Sequence, residues 1–294
     1  MALGKLKEIY EKKYKLLLII TLLMFIFSIS ILCINKLTTG EFLTKDISLK
    51  GGLMLTVKTD KEINVLETES LLAQKLNSSV SIKRLQSLGG GSIGYSIIVE
   101  PMDVDVFTKA FSEISEIPLT EENYTIETVS SALGAAFWSN TIKVLLFAFF
   151  AMAIVVILYF RKMVPAFAVI LAATSDILCT LAIASLLGIK LSIGGVAALL
   201  MLIGYSVDTD ILLSTKMLKR EGALFERTYS SIKTGLTMQS IAIIALLVLY
   251  FVTPSEVLKQ IAFLIIIGLC VDIPNTWIQN VGILRWYLER HGSS

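Results

Sequence analysis

Charged residues, histidine, cysteine and proline are scarce in this sequence. Only 17% of its 294 residues are charged, and it holds a single histidine, three cysteines and five prolines. A soluble domain has about 25% charged residues, so the composition excludes a soluble globular protein and also a disordered or collagen-like chain. The formal net charge of +2 lacks the basic footprint of a nucleic-acid-binding protein. The cysteines all lie in apolar runs and cannot form a disulfide framework; they are Cys33, Cys179 and Cys270.

The same scarcity argues against a metal or a cofactor. His291 is the only histidine, and it lies in a polar His-Gly-Ser-Ser segment away from other candidate ligands. The sequence therefore predicts no metal site. Three glycines at 89–91 are not followed by the Gly-Lys-Ser/Thr of a phosphate-binding loop. They predict a hairpin turn, and we expect no organic cofactor.

Long apolar runs dominate the rest of the chain. Hydrophobic residues make up 55% of it, and the mean hydropathy is +0.76. Crossing a bilayer takes about 20 apolar residues. Six runs are long enough, at 16–35, 142–160, 164–187, 191–214, 235–253 and 259–284. The first run is too long for the core of a signal peptide and no cleavage pattern follows it, so we expect it to remain as a span.

The distribution of Lys and Arg predicts the orientation. Basic residues near span ends stay on the cytoplasmic side, and here they cluster before span 1, between spans 2 and 3, between spans 4 and 5, and after span 6. The opposite turns hold only Lys190 and Lys259. Both termini are therefore predicted to be cytoplasmic. Trp277, Trp286 and Tyr287 near the inner end of span 6 are candidate interfacial anchors.

The polar segment 38–139, between spans 1 and 2, is predicted to fold outside the cytoplasm. Its pattern favours a strand near 47–58, a helix near 64–77, strands near 80–87 and 93–99, a helix near 103–116 and a strand near 122–129. This order is that of the ferredoxin-like fold. The predicted fold is thus an α-helical membrane protein of six transmembrane helices with one ferredoxin-like α+β extracytoplasmic domain between helices 1 and 2. Its parts are 1–37, the cytoplasmic N-terminus with the first span; 38–139, the domain; and 140–294, spans 2 to 6 with the cytoplasmic C-terminus.

Four aspartates lie inside the predicted spans, whose interiors contain no Lys or Arg: Asp176 in span 3, Asp208 and Asp210 in span 4, and Asp272 in span 6. An Asp at a helix centre costs about 2.5–3.5 kcal/mol, and acids kept at that cost normally line an ion or proton path. Asp176 and Asp272 lie near the middle of their spans. Asp208 and Asp210 are separated by about 200° around the helix, so they cannot both face one partner.

Polar residues on spans 5 and 6 can complete a relay. A stripe with i, i+3, i+4, i+7 spacing runs along span 6; its members are Asp272, Asn275, Thr276 and Gln279. Two interpretations remain open. In the first, Asp208 leads a proton relay, with Asp272 across the bundle and Thr237 on span 5. In the second, these groups only hold the helices together. Gly204, one turn before Asp208, would let another helix approach closely.

The segment Gly204-Tyr205-Ser206-Val207-Asp208-Thr209-Asp210 resembles the span 4 motif of the SecF family, six-span protein-export subunits of the resistance-nodulation-division superfamily, most closely the archaeal form. The resemblance continues through Lys50-Gly51-Gly52, Leu133-Gly134, Ser175-Asp176 and the segment from Asp272 to Asn280. It implies a heterodimer with a SecD-like subunit, contact with the Sec translocon and the translocating preprotein, and support of protein export from within the lipid bilayer.

The resemblance also implies use of the proton-motive force, which bacterial relatives are thought to couple through acids of span 4. The motif departs from the bacterial pattern at Asp208, which stands where bacterial SecF has Asn and matches the acid of the SecD-type motif instead. The basic residue of bacterial span 5 has no clear counterpart here, since Arg227 and Lys233 are out of register.

Two further functions stay open. One is a small-molecule or lipid exporter built on the same superfamily half. The other is an intramembrane aspartyl protease, since Asp208 and Asp272 each follow a Gly-x-x-Val sequence. Val207 and Val271 occupy the position of the second glycine in the Gly-x-Gly-Asp motif of such proteases, and the large domain has no role in them. We therefore expect a transport subunit and not an enzyme.

The predicted topology can be tested by cysteine labelling in intact cells. A cysteine introduced at Ser92 should react with a membrane-impermeant thiol reagent, whereas one introduced at Ser230 should not, because only the first is expected outside the cytoplasm. The parent chain, without an introduced cysteine, is the control. The reverse labelling pattern would contradict the predicted orientation.

Overall fold

Six helices in the described part of the chain are long and apolar enough to cross a membrane. The computed structural model describes residues 13–86, 92–120, 122–218, 222–253 and 255–291, so the turn predicted at 89–91 lies outside the described residues. Spans 1 to 5 are the helices Tyr14–Thr39, Ser131–Phe160, Met163–Leu186, Ile193–Leu218 and Leu224–Val252. Span 6 comprises Glu256–Pro274, a π-helix Asn275–Asn280 and Val281–Arg290. The predicted six-span fold is confirmed.

Several span helices extend beyond the apolar runs that predict them. The helix of span 2 begins at Ser131 and that of span 5 at Leu224, each well before its predicted run. Lys143, the second residue of its predicted run, and Lys233, which precedes its run, consequently lie well inside the helices of spans 2 and 5, and both are exposed. Such residues are tolerated near helix ends because the long side chain can reach the membrane interface.

Spans 3 and 4 form the centre of the bundle. In their most apolar windows 61% and 56% of the residues are buried, against 6% for span 2 and 11% for span 5. Small residues allow close packing around them. A Cβ atom added to Gly268 on span 6 would lie 2.4 Å from Leu202 Cδ1 on span 4. One added to Gly235 on span 5 would lie 2.1 Å from Trp277 Cζ2. The side chains of Leu202 and Trp277 therefore pack directly against the backbone of a glycine on the neighbouring helix.

The segment between spans 1 and 2 contains a sheet that we call the sheet domain (residues 47–129). Its described strands are β1 (Gly52–Lys58), β2 (Val80–Gln86), β3 (Ser92–Val99) and β4 (Tyr124–Val129). They pair antiparallel in the order β2-β3-β1-β4. The helices Val65–Leu76 and Val104–Ser115 connect them in the β-α-β-β-α-β order. This is the ferredoxin-like arrangement.

Alternation of side chains explains the core of the sheet domain. Leu53, Leu55 and Val57 on β1 point to one face, as residues two apart in a strand must, and all three are buried. Phe107 and Phe111, one turn apart, cover them from the second helix. The domain therefore has a hydrophobic core of its own.

The start of β1 corrects one prediction. The strand predicted near 47–58 begins at Gly52, and a short helix, Ile47–Lys50, precedes it. The backbone turns from helix to strand at Gly51, where φ is +85°. That left-handed conformation is open to glycine at little steric cost.

Several contacts tie the sheet domain and the segment before it to the membrane helices; Leu49, for example, is buried in one hydrophobic cluster with Leu32 on span 1 and Leu181 on span 3. A Cβ atom added to Gly134, in the first turns of span 2, would lie 2.5 Å from the backbone N of Gly51. The N–H of Asp46 donates to the carbonyl of Leu191 at 2.8 Å, and the N–H of Leu191 donates to the carbonyl of Thr44 at 2.8 Å. The loop between spans 3 and 4 thus lies on the same side of the bundle as the sheet domain. We call this the domain side.

The opposite side of the bundle, which we call the terminal side, joins span 1 to span 6. The hydroxyl of Tyr14 donates to Glu289 Oε2 at 2.6 Å, and Arg285 Nε donates to Glu289 Oε1 at 2.9 Å. The Arg285 guanidinium also lies 5.1 Å from the centre of the Tyr14 ring. Because a buried or half-buried tyrosine hydroxyl needs a partner, this group of three residues fixes the first turn of span 1 against the end of span 6.

Candidate functional site

Three carboxyl groups lie together in the middle of the helix bundle. Asp176 on span 3, Asp210 on span 4 and Asp272 on span 6 are each 0% exposed. We call them the carboxylate cluster. None of them forms an ion pair with a described Lys or Arg, so their buried oxygens depend on hydrogen-bond donors from neighbouring helices.

Asp176 links span 3 to spans 4 and 6. Its Oδ2 accepts a hydrogen bond from the hydroxyl of Ser206 at 2.5 Å, and its Oδ1 accepts one from the amide of Asn275 at 2.7 Å. Ser206 belongs to span 4 and Asn275 to the π-helix of span 6. Each oxygen of this carboxyl group therefore has a donor from a different helix.

Asp272 connects span 6 to spans 4 and 5. Its Oδ2 accepts from the side-chain amide of Gln239 on span 5 and lies 3.0 Å from the hydroxyl of Thr209 on span 4. Gln239 is held in place from its other end, since the indole N–H of Trp277 donates to its Oε1 at 3.0 Å. Gln239 is thus oriented by a buried tryptophan. Among the described residues of span 5, it is the one whose side chain reaches the cluster.

Thr276 lies between the remaining two carboxyl groups. Its hydroxyl oxygen is 2.7 Å from Asp272 Oδ1 and 3.0 Å from Asp210 Oδ1. A threonine hydroxyl carries one hydrogen, so it donates to one of these oxygens at a time. A hydrogen bond in the other contact requires a proton on that carboxyl group. Rotation of the hydroxyl would exchange the two roles, and this geometry suits transfer of a proton between Asp210 and Asp272.

Several buried oxygens around Asp210 lack a donor or acceptor among the described residues. Asp210 Oδ1 accepts from the amide of Asn280 at 2.7 Å. Asp210 Oδ2, Ser214 Oγ and Asn280 Oδ1 have no such partner in the described chain. An unsatisfied buried polar atom costs about 1–3 kcal/mol. The span 4 end of the cluster therefore contains polar atoms that the described side chains do not satisfy.

The π-helix positions the donors of span 6. Pro274 lies inside the helix and is followed by Asn275–Asn280 in π geometry, which is frequent at functional sites. Asn275, Thr276, Gln279 and Asn280 are all buried on the inward face. The predicted stripe contains three of these, and Asn280, eight residues after Asp272, continues the same face.

The structure does not bring Asp208 to Asp272, which corrects the expected pairing across the bundle. Asp208 is exposed on the outer face of span 4, whereas Asp210 faces the cluster. The reason is the angular separation of about 200° between residues two apart. The hydroxyl of Thr237 is also exposed and donates to the carbonyl of Lys233 at 2.8 Å. Thr237 therefore lies outside the network, and Gln239 takes its expected place on span 5.

Gly204 lies on the same exposed face of span 4 as Asp208. A Cβ atom added to it would meet nothing within 4 Å in the described chain. A helix that approaches closely at Gly204, as the sequence predicts, would thus belong to another molecule.

Trp277 differs from its prediction as an interfacial anchor. It is 3% exposed, because its indole N–H is used inside the bundle. Trp286 is 39% exposed, as an interfacial residue would be. In the described residues no group of three or more His, Cys, Asp or Glu side chains could hold a metal ion.

Comparison with known families matches the greater part of the chain. Residues 109–290 match the family described as "Protein export membrane protein SecD/SecF, C-terminal". This region contains spans 2 to 6 and all three members of the carboxylate cluster.

Individual relatives align over nearly the full length. The "Protein-export membrane protein SecF" of Methanocaldococcus jannaschii is 39% identical over 90% of this chain and 94% of its own length. That of Pyrococcus furiosus is 35% identical over 97% of this chain and 95% of its own. The crystal structure of SecDF, a translocon-associated membrane protein from Thermus thermophilus, has a TM-score of 0.72 at 21% identity. It covers 93% of this chain, which spans 38% of that longer chain, and it shows the shared fold.

Thr276→Val should destabilise the protein, since valine keeps the shape of threonine but removes the hydroxyl shared by two buried carboxyl groups. We expect a loss of about 1–3 kcal/mol in the free energy of unfolding. Thermal unfolding of the purified chain in detergent measures it. Thr237→Val, whose hydroxyl is exposed, should stay within about 0.5 kcal/mol of the parent. Equal effects of the two substitutions would contradict the bridging role of Thr276.

Proposed function

Because the chain belongs to the SecD/SecF family of protein-export membrane proteins, we propose that it is the SecF-type subunit of the Sec protein-export machinery. In this role it promotes the translocation of proteins across the membrane. The observation that carries the proposal is the alignment with SecF proteins over nearly the full length of both partners. As in those relatives, the chain is a multi-pass membrane protein.

The proposal includes a SecD-like partner that packs against span 4. Met201, Gly204, Tyr205 and Asp208 form an exposed stripe on a helix that is otherwise mostly buried. Exposure of an acid to hydrocarbon costs free energy. A partner protein that covers Asp208 would remove this cost. The SecDF chain of known structure is long enough for a second half, since this chain spans 38% of it. Translocon and preprotein contacts belong to the same proposal.

We further propose that proton flow is coupled to export through the carboxylate cluster. Two features support this. Asp176, Asp210 and Asp272 are buried and form no ion pair with a described Lys or Arg. The single hydrogen of the Thr276 hydroxyl is shared by two of them. Asp208 would extend the path to the interface once a partner covers it. Both termini would be cytoplasmic and the sheet domain outside, where it can handle the emerging chain.

The geometry favours this function over the alternatives. An aspartyl protease built on Asp208 and Asp272 requires the two acids to meet, and they lie on different faces. A peptide-cleavage assay in detergent tests for enzymatic activity directly. A small-molecule or lipid exporter should assemble with copies of itself and without a SecD-like subunit. A pull-down from native membranes distinguishes this function from the proposed one by showing which subunits copurify.

Substitution of the cluster acids tests the proton path. Asp272→Asn and Asp210→Asn keep size and hydrogen-bonding reach but remove the titrating group. Both variants should still assemble with the partner, yet proton-dependent stimulation of export should fall to the level measured without a gradient. Asp208→Asn should show a partial loss. The exposed Asp105 of the sheet domain gives a matched control, Asp105→Asn, expected to be unchanged.

The contrary result is that export by both cluster variants still responds normally to a range of imposed pH gradients. That result would exclude the cluster as the proton path. The subunit would then act as a structural brace of the complex. Full loss in Asp208→Asn with little effect of Asp272→Asn would place the path at the partner interface.

Gly204→Leu tests the partner contact. A leucine at the closest point of approach should overpack the interface, at a cost of about 1–3 kcal/mol, and reduce copurification of the SecD-like subunit by at least about fivefold. Ser240→Leu is the control, because it adds a similar side chain at an exposed position on span 5. If both variants copurify with the partner like the parent, the span 4 stripe is not the interface.

A further inference from the structure

An apolar groove opens toward the lipid between spans 1, 3 and 6. It has a volume of about 610 Å³, and only apolar and aromatic residues line it: Leu18, Met163, Val164, Phe167, Ile283 and Trp286. Its floor is formed where span 1 crosses span 6, since a Cβ atom added to Gly282 would lie 2.6 Å from Leu18 Cγ. Met163 and Phe167 remain 75% and 61% exposed along its open side.

Basic residues surround one end of this groove. Arg161 and Lys162 directly precede Met163, are exposed, and form no ion pair with another described residue. The Arg290 guanidinium lies 4.3 Å from the centre of the Trp286 ring. Lys15, one turn before Leu18, is exposed as well. These cations lie on the terminal side of the bundle, at the ends of spans 1, 2 and 6 and the start of span 3.

The nearest acid does not cancel this charge. Glu289 lies on the last turn of span 6, but both of its carboxylate oxygens are used, one by the hydroxyl of Tyr14 and the other by Arg285. The end of the groove therefore keeps an excess of positive charge.

The start of span 3 adds backbone donors at the same end. The helix begins at Met163, and Lys162 before it makes no side-chain capping bond. The N–H groups of Met163 and Val164 lack intrahelical acceptors and carry a partial positive charge. Pro165 has no N–H, and the N–H of Ala166 donates to the carbonyl of Lys162 at 3.3 Å. Arg161 adopts a left-handed conformation, with φ of +50°, in the short turn between spans 2 and 3. The turn thus places two cations and the open N–H groups beside the first residues of the groove.

We propose that this groove binds one anionic phospholipid from the leaflet on the terminal side. An acyl chain lies along the apolar lining, and the phosphate is held by Lys162, Arg290 and the first N–H groups of span 3. A phospholipid combines an apolar chain, which fits the groove, with a phosphate, which fits its basic end, and it is available in the membrane around the bundle. Basic pockets between transmembrane helices are known to hold anionic headgroups. The bound lipid would join span 1 to spans 3 and 6.

Native mass spectrometry of the purified full-length chain tests the proposal, with dioleoylphosphatidylglycerol and dioleoylphosphatidylcholine added in equal amounts. The parent should retain one phosphatidylglycerol in preference to phosphatidylcholine. Lys162→Gln with Arg290→Gln should lower the phosphatidylglycerol occupancy about 25-fold, roughly fivefold for each cation removed. Lys58→Gln with Lys109→Gln removes two exposed charges of the sheet domain and should leave it unchanged.

A groove-filling variant, Val164→Trp, keeps every charge and should also lose the lipid if an acyl chain occupies the groove. Thermal unfolding of each variant shows whether it is folded. Equal binding of both lipids, or equal loss in the sheet-domain control, would overturn the proposal. Displacement of the lipid by inorganic phosphate would indicate an anion site only. A second copy of the chain that is lost on groove filling would indicate a protein contact instead.

Discussion

Three carboxyl groups buried among membrane helices, with no ion pair to a described Lys or Arg, need hydrogen-bond donors, and this need constrains how spans 3 to 6 pack. Asp176 and Asp272 between them contact side chains of spans 4, 5 and 6. Removing any one donor leaves a desolvated oxygen, so the four helices can change position only if the network changes with them. A change in protonation alters which oxygens accept and which donate. The chemistry of the acids and the arrangement of the helices are therefore one physical property of the bundle.

The π-helix of span 6 makes this network possible. Four buried polar side chains from Asn275–Asn280 reach Ser175, Asp176, Asp210 and Asp272 on three helices. Pro274 immediately precedes the segment and cannot donate a backbone hydrogen bond. An irregular backbone at this depth is tolerated because it is enclosed by protein.

Much of the architecture could be predicted from the sequence because bilayer thickness and strand periodicity act locally. The six spans, the β-α-β-β-α-β order and the inward direction of Asp272, Asn275 and Thr276 follow from run length and spacing. Which face of span 4 is turned toward the bundle could not be predicted in this way. Asp208 and Asp210 both lie in an apolar helix, and their order of burial depends on which side spans 3 and 6 approach. The same holds for Gln239 and Thr237, two residues apart on span 5, and for Trp277, whose indole finds its acceptor on another helix.

The contact between Gly51 and Gly134 has a mechanical consequence. A Cβ atom added to Gly134 would lie 2.5 Å from the backbone N of Gly51, so no side chain separates the sheet domain from the start of span 2 at this point. The pair of backbone hydrogen bonds at Leu191 is a second attachment, at the loop between spans 3 and 4. Leu49 is buried beside these attachments, in one cluster with Leu32 on span 1 and Leu181 on span 3. Tilting of span 2 against spans 3 and 4 would therefore strain this junction unless the sheet domain moved as well, which couples the position of the domain to the packing of the bundle.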